Sequence, residues 1–367
     1  MNLLRRYCLR ELVFPFGMSL FLFTFIFVMG NLVELADLLV NKGVNIFDVV
    51  KLLLLIVPSV IGFILPTAAL ASVLLVFGGF AQNNEITAIK ASGIHLFRAL
   101  VPVIACAFLL SLLALFLVDQ VQPRAEYGTR QIMRDMIMKR PTAYLEPRRF
   151  VKDFRDHILW INEIKGNRLE GVTIFQSRDD KPTRTIIAEW GEIVSSRDEE
   201  SFSLKLYNGT SDEPNPDDPS ILYKLNFKTF LLPDITIGRE STGKAKKARE
   251  MSLDELVYQL KHNERVRKGP EQEKRKIRAE IHKKISFAFA SFVFVLVGLP
   301  AAIITRRGEA VVSFSIAGGV VALYYILFVW GNTMAVRGVF PPGLSLWFPN
   351  IFLAAIALIL MRRAFET

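Results

Sequence analysis

Cysteine and histidine are scarce, with two of the first and four of the second in 367 residues. Cys8 and Cys106 lie in or beside apolar runs, so no disulfide framework staples the chain, and redox compartment stays open. His95, His157, His262 and His282 fall in separate segments without metal-ligand spacing, and no metal site is expected. Charge is missing over long stretches. The runs 12–33, 52–80, 99–118, 285–305, 310–336 and 338–361 hold no Asp, Glu, Lys, Arg or His. Each reaches the roughly twenty apolar residues a helix needs to cross a bilayer. Such runs, with 51% hydrophobic residues and 29 Phe, exclude an ordinary soluble domain.

What is present completes a membrane class. Mean hydropathy is +0.34. The formal net charge of +10 suits anionic lipid or an anionic substrate better than nucleic acid. The first run follows Arg5, Arg6 and Arg10, is too long for a signal peptide's apolar core, and has no small-residue cleavage site, so it is expected to stay. Pro58 and Pro66 should kink the second run. Short-loop Lys and Arg concentrate on one side, at Arg5, Arg6, Arg10, Lys90, Arg98, Arg306, Arg307, Arg362 and Arg363. That bias predicts cytoplasmic termini and an outward-facing insert between the third and fourth runs. The basic cluster from Lys274 to Lys284, directly before the fourth run, pulls the other way.

The insert changes character along its length. Ile132, Met133, Met136 and Ile137 recur at helical spacing, so the third span should continue as an amphipathic helix through 121–145. Residues 146–240 read as short strands, including 158–161, 172–175, 185–187, 202–207 and 222–227, parted by Asn-Gly and other polar turns. Consecutive strands without intervening helices predict an all-β sandwich or jelly roll. Ser252-Leu253-Asp254-Glu255 is a capping box that opens a helix within 241–284, and a charged helix from Glu271 leads into the fourth span. The expected fold is therefore an α-helical membrane protein of six transmembrane helices, three in 1–120 and three in 285–367, with an inserted jelly-roll-like β domain.

Catalytic readings mostly fail on chemistry. Gly238 to Lys244 fits seven positions of a phosphate-binding loop, but the eighth is Ala245, without the hydroxyl that holds magnesium, and a basic stretch follows instead of an apolar helix. Ser19 has no histidine inside any span to serve as its base. No catalytic residue emerges. Asn31, Glu34 and Asp37 recur at three-residue spacing near the end of the first span, where carboxylates either line an aqueous cavity or sit on helix that has already left the hydrocarbon. Ser313, Ser315, Ala317, Gly318 and Gly319 would allow a close helix contact, and Tyr324, Tyr325, Phe328 and Trp330 read as an interfacial aromatic belt.

One polar interval, 82–98, separates the second and third spans. Asn84 suits an N-cap, Glu85 a first turn, Ile86 and Ile89 form a small apolar face, and Ser92-Gly93 is a stop. By spacing it is either a two-turn helix docked at a membrane surface or a plain loop.

The chain resembles the LptF/LptG family of lipopolysaccharide-export permeases. The resemblance rests on Arg6-Tyr7 with Leu9-Arg10-Glu11, on Glu85-Ile86-Thr87-Ala88 through Ala91-Ser92-Gly93-Ile94, on Gly298-Leu299-Pro300 before Arg306-Arg307-Gly308, and on Trp347-Phe348-Pro349-Asn350. It covers essentially the whole length, and Leu39 to Val44 looks more like the LptF branch. It implies a permease half in the bacterial inner membrane without a nucleotide-binding domain, paired with an LptG-like half on two copies of the cytoplasmic ATPase LptB. Lipopolysaccharide would pass through the periplasmic β domain towards LptC and LptA. The chain itself would bind no cofactor, ATP and magnesium belonging to the ATPase. The family's coupling helix maps onto 84–93, with Asn84, Glu85, Ile86, Ile89, Ser92 and Gly93 as the ATPase-coupling residues. From charge and position, Lys42, Arg124, Arg130, Arg134, Lys283 and Lys284 are candidates for lipid phosphates. Trp160, Ile174 and Phe175, read as an inward strand face, are candidates for acyl chains. Two rival classes are an ion-coupled transporter using Asn31, Glu34 and Asp37, and a membrane receptor that presents the β domain without transport.

Overall fold

The computed structural model describes residues 2–40, 45–139, 145, 147–154, 156–178, 181–195, 201–215, 221–236, 246–263, 266, 269–306 and 308–366. Lys42 and the loop-like segment 238–245 lie outside them. Among the described residues, six helices are long and apolar enough to cross a membrane. The chain divides into two compact units. One comprises 1–33, 53–128 and 246–367, the other 34–52 and 129–245.

In the first unit the apolar runs become α1 (Asn2–Val40), α2 (Ile46–Gln82) and α4 (Leu96–Phe116), with the short α3 (Glu85–Ala91) between the last two. α1 leaves Phe14, Phe21 and Phe25 uncovered by the rest of the chain. α4 passes through a π turn (Leu117–Val121) into α5 (Gln122–Lys139). The return path is a 3₁₀ turn (Ala248–Glu250), α6 (Leu253–His262), α7 (Glu271–Thr305), α8 (Ala310–Arg337) and α9 (Pro342–Glu366). The capping box at the start of α6 forms. Glu255 N–H donates to Ser252 Oγ at 3.3 Å, and Ser252 N–H donates to Glu255 Oε2 at 3.1 Å.

The core of this unit packs α2 and α7 against their neighbours through Leu70, Phe77, Phe294 and Leu299. Two expectations for α8 change. Tyr324 and Phe328, four residues apart, share one helix face and are buried among Phe287 and Phe294, while Tyr325 and Trp330 stay exposed. The belt is thus two residues, and the other two are core. Of the small residues, Ser313 and Ala317 are buried as a helix contact needs, Ser315 is exposed, Gly318 and Gly319 face open space, and a further close approach lies at Gly331, where a Cβ would stand 2.2 Å from the Ser345 carbonyl oxygen of α9. Ser286, Asn350 and the helix backbone form a polar knot nearby. Asn350 Nδ2 donates to Ser286 Oγ at 2.9 Å, and Ser286 Oγ donates to the Leu346 carbonyl at 2.5 Å.

The second unit holds β1 (Phe150–Phe154), β2 (His157–Lys165), β3 (Arg168–Arg178), β4 (Lys181–Ser195), β5 (Ser201–Pro214) and β6 (Leu222–Thr236). They form one antiparallel sheet in the order β1-β2-β3-β4-β5-β6, so every pairing joins sequence neighbours. The inserted β domain is present, connected as a meander. Its core, including Leu159, Ile161, Ile174, Ile186, Leu204 and Leu206, is made of strand residues with Leu145, so the sheet buries one face by curling on itself.

The curl has a visible cause. Residues 162, 171, 189, 208 and 228 form a row across β2–β6 that is skipped in each ladder. On either side of it the buried positions shift phase, from Leu169 to Val172, Ala188 to Gly191, and Leu206 to Ser211. Gly171 and Asn208 take φ of +62° and +49° in that row, the bulge-like geometry that bends a strand. Asn208-Gly209, read from sequence as a hairpin turn, lies inside β5 instead. A hairpin signal and a crease signal use the same left-handed residue.

Candidate functional site

α3 has seven residues, too few to be stable alone, so its position must come from what it touches. Ile86 is buried in the core that includes Phe80 and Leu96, and Ile89 packs partly against it. The apolar face therefore docks the helix on its own chain. The outer face is exposed and mostly polar, comprising Asn83, Asn84, Thr87, Ala88, Ala91 and Ser92. Asn84 stands at the N-cap with a left-handed φ of 59° and makes no side-chain cap bond, so it turns the chain and does not cap it as expected. Gly93 takes φ +74°, and its N–H donates to the Lys90 carbonyl at 3.0 Å, the C-terminal stop expected of it.

Three polar links tie this region to other elements. Tyr7 Oη in α1 donates to Glu85 Oε2 at 3.3 Å. Lys90 Nζ donates to the Ala364 carbonyl at 3.0 Å, placing a cation at the C-terminal end of α9 where the helix dipole favours it. Gln82 Oε1 accepts from Gly308 N–H at 2.9 Å, in the turn between α7 and α8. A Cβ at Gly308 would lie 2.5 Å from the Gly79 backbone, so only glycine permits this approach. Tyr7, Gln82 and Lys90 were not read from the sequence as site residues. Tyr7 stood in the Arg6-Tyr7 pair, but nothing in its neighbourhood points to a partner 78 positions away.

The strand candidates separate. Ile174 is fully buried and pairs with Leu159 and Ile186 on the inner face. Trp160 and Phe175 are half-buried on the opposite face, Phe175 beside the exposed Phe150 ring at 6.4 Å. Adjacent strand residues point to opposite sides, so the three cannot form one surface.

The basic candidates separate too. Lys284 is 4% exposed. Its Nζ donates to the carbonyls of Met251 at 2.6 Å and Val118 at 3.4 Å, so it is a structural strut and not a headgroup ligand. Lys283 pairs with Glu280 at 3.3 Å, and Arg124 donates to Gln120 at 3.2 Å from an exposed position. Arg130 and Arg134, both half-buried, share a face of α5 by their four-residue spacing. Near the end of α1, Asn31 Nδ2 donates to the Phe27 carbonyl of its own helix at 2.8 Å. No group of three or more His, Cys, Asp or Glu suited to a metal occurs among the described residues.

The family model "Lipopolysaccharide export system permease LptF/LptG" matches residues 6–363. The lipopolysaccharide export system permease protein LptF of Escherichia coli K12 is 22% identical over 358 residues, covering 97% of this chain and 93% of its own length. LptF of Shigella flexneri gives the same figures, 22% over 97% and 93%. The uncharacterized protein RP871 of Rickettsia prowazekii is 21% identical over 265 residues, 71% of each chain.

Proposed function

Since the chain belongs to the LptF/LptG family of lipopolysaccharide export system permeases, we propose that it is one permease half of an ATP-driven exporter whose ATPase is a separate chain. The observation that carries this reading is α3, a helix docked through Ile86 with its polar side left open. An ATPase seated on Asn84, Glu85, Ser92 and Gly93 would displace α3, and with it α2 and α4. The partner half would be an LptG-like chain, the ATPase a pair of LptB subunits, and the membrane the bacterial inner membrane. Lipid or the partner half would cover the exposed apolar side of α1.

Lipopolysaccharide held between two such halves would be driven upward as they close. Its phosphates would meet basic side chains of either unit, Arg124 and Lys283 in the first or Arg130 and Arg134 in the second, which carry charge without the burial that removes Lys284. Its acyl chains would follow the inner face of a periplasmic sheet past Ile174, Leu159 and Leu206, towards LptC and LptA. Opposing charge at α3 is the sharpest test. The detergent-extracted complex should retain a soluble ATPase with wild-type Glu85, and lose or inactivate it with Glu85→Arg. A folded wild-type complex containing no ATPase would sink the proposal and bring the ion-coupled and receptor readings forward.

A further inference from the structure

The geometry points to Tyr7 as the positioning residue for the Glu85 carboxylate, and to Tyr7, Gln82 and Lys90 as a linkage carrying motion of α3 to helices it is not joined to in sequence. The inference rests on the reading of α3 as the ATPase-facing element and says how displacement there would spread.

Along the backbone, α3 is continuous only with α2 and α4. The three polar links reach α1, the α7–α8 turn and the end of α9. Tyr7 and Lys90 bring both terminal helices to one seven-residue element, and Gln82, the last residue of α2, brings the entry to α8 to the turn just before it. Each link also has a backing that limits slack. The Tyr7 ring stacks on Phe80 at 5.3 Å, and Phe80 meets Phe77 edge-on at 5.5 Å. Phe77 and Phe80 are buried, so the Tyr7 hydroxyl is aimed by a rigid aromatic column. The Gln82 link closes over the Gly308–Gly79 backbone contact. Lys90 reaches a main-chain carbonyl, which can move only if the end of α9 moves with it.

The chemistry of Glu85 fits this division. Tyr7 engages Oε2, and a carboxylate has further lone pairs on its other oxygen for a cationic partner. The hydroxyl would hold the rotamer in which that oxygen is presented. Without it, the carboxylate keeps its charge and loses its aim, so partner binding survives while transmission weakens.

The test uses the full complex, with its partner half and ATPase, in proteoliposomes containing lipopolysaccharide. Hydrolysis, lipopolysaccharide transferred per ATP hydrolysed, and the thermal midpoint are measured for wild type, Tyr7→Phe, Lys90→Met and the double variant. The ATPase should stay bound and the midpoint should not move. Transfer per ATP should fall by about threefold in each single variant, the scale of one lost hydrogen bond, and further in the double. Unchanged transfer per ATP in both single variants would overturn the linkage, as would loss of the ATPase from Tyr7→Phe, which would make Tyr7 a binding residue. A wild-type complex that hydrolyses no ATP would overturn the function reading itself, and the wild-type control separates that failure from the others.

Discussion

The two ends of α4 are held in opposite styles. At its start, α3 and the adjoining end of α2 are tied down by Tyr7, Gln82 and Lys90 through contacts that are exposed or partly buried. At its far end, 21 residues on and about 30 Å away, the chain is clamped from inside. There Asp119, in the π turn, accepts the Leu253 N–H at 2.6 Å. Lys284, buried on the returning α7, donates to Met251 and Val118. The outgoing and returning helices thus grip the same short segment, 251–253, from both sides. Exposed polar links exchange readily with water and cost little to break, whereas a buried ammonium on backbone carbonyls leaves unpaired groups behind if removed. The difference suits a unit with one adjustable end and one fixed end.

The largest expected effect comes from removing the clamp. Lys284→Met keeps the bulk but strands two carbonyls, and should lower stability by about 2–3 kcal/mol, read as a drop in the thermal midpoint of the detergent-solubilised protein. A variant as stable as wild type would erase the contrast between the ends. Next is Gly308→Ala, which drives a Cβ against the Gly79 backbone. Overpacking of this kind costs about 1–3 kcal/mol, read as a smaller drop in the same thermal midpoint. Ser252→Ala should cost about 1 kcal/mol by removing the cap of α6, while Ser252→Thr should restore most of it. If Ser252→Ala exceeds Lys284→Met, the fixed end depends on the cap more than on the clamp.

Much of this architecture is legible in the sequence because its signals are local. The apolar runs define the spans, Ser252 and Glu255 define a cap within four residues, and the break at Ser92-Gly93 marks the end of α3. The failures share a cause. Tyr324 and Trp330 are both aromatic residues on an apolar helix, and only the neighbours supplied by α7 make one core and leave the other exposed. Asn208-Gly209 carries a left-handed residue that serves a turn or a crease equally well. β1 went unread because Lys152 and Asp153 interrupt its apolar pattern. Lys284 shows its charge in the sequence but not its burial, and the Tyr7–Glu85 contact joins residues with no intervening pattern to connect them.

The smallest expected effect concerns pH and sits beside the fixed end. Glu255 accepts from Lys246 Nζ at 2.5 Å and from the Ser252 backbone. Burial pushes the Glu255 carboxyl up, but those hydrogen bonds, with the charges of Lys246 and Lys284, outweigh it and hold the group below its usual value. A carboxyl lowered in the folded state adds stability that is present above its unfolded value, about 4.3, and is lost as pH falls through the folded one. The midpoint difference between wild type and Glu255→Gln should therefore be present at neutral pH and close on acidification. Both side chains are more than a third exposed, at 38% and 45%, so solvent screens the pair and the difference should be small and shrink further with salt. A difference that persists at low pH and high salt would mean that Glu255 acts through the capping geometry alone. The Lys246 contact would then be incidental to how this end is held.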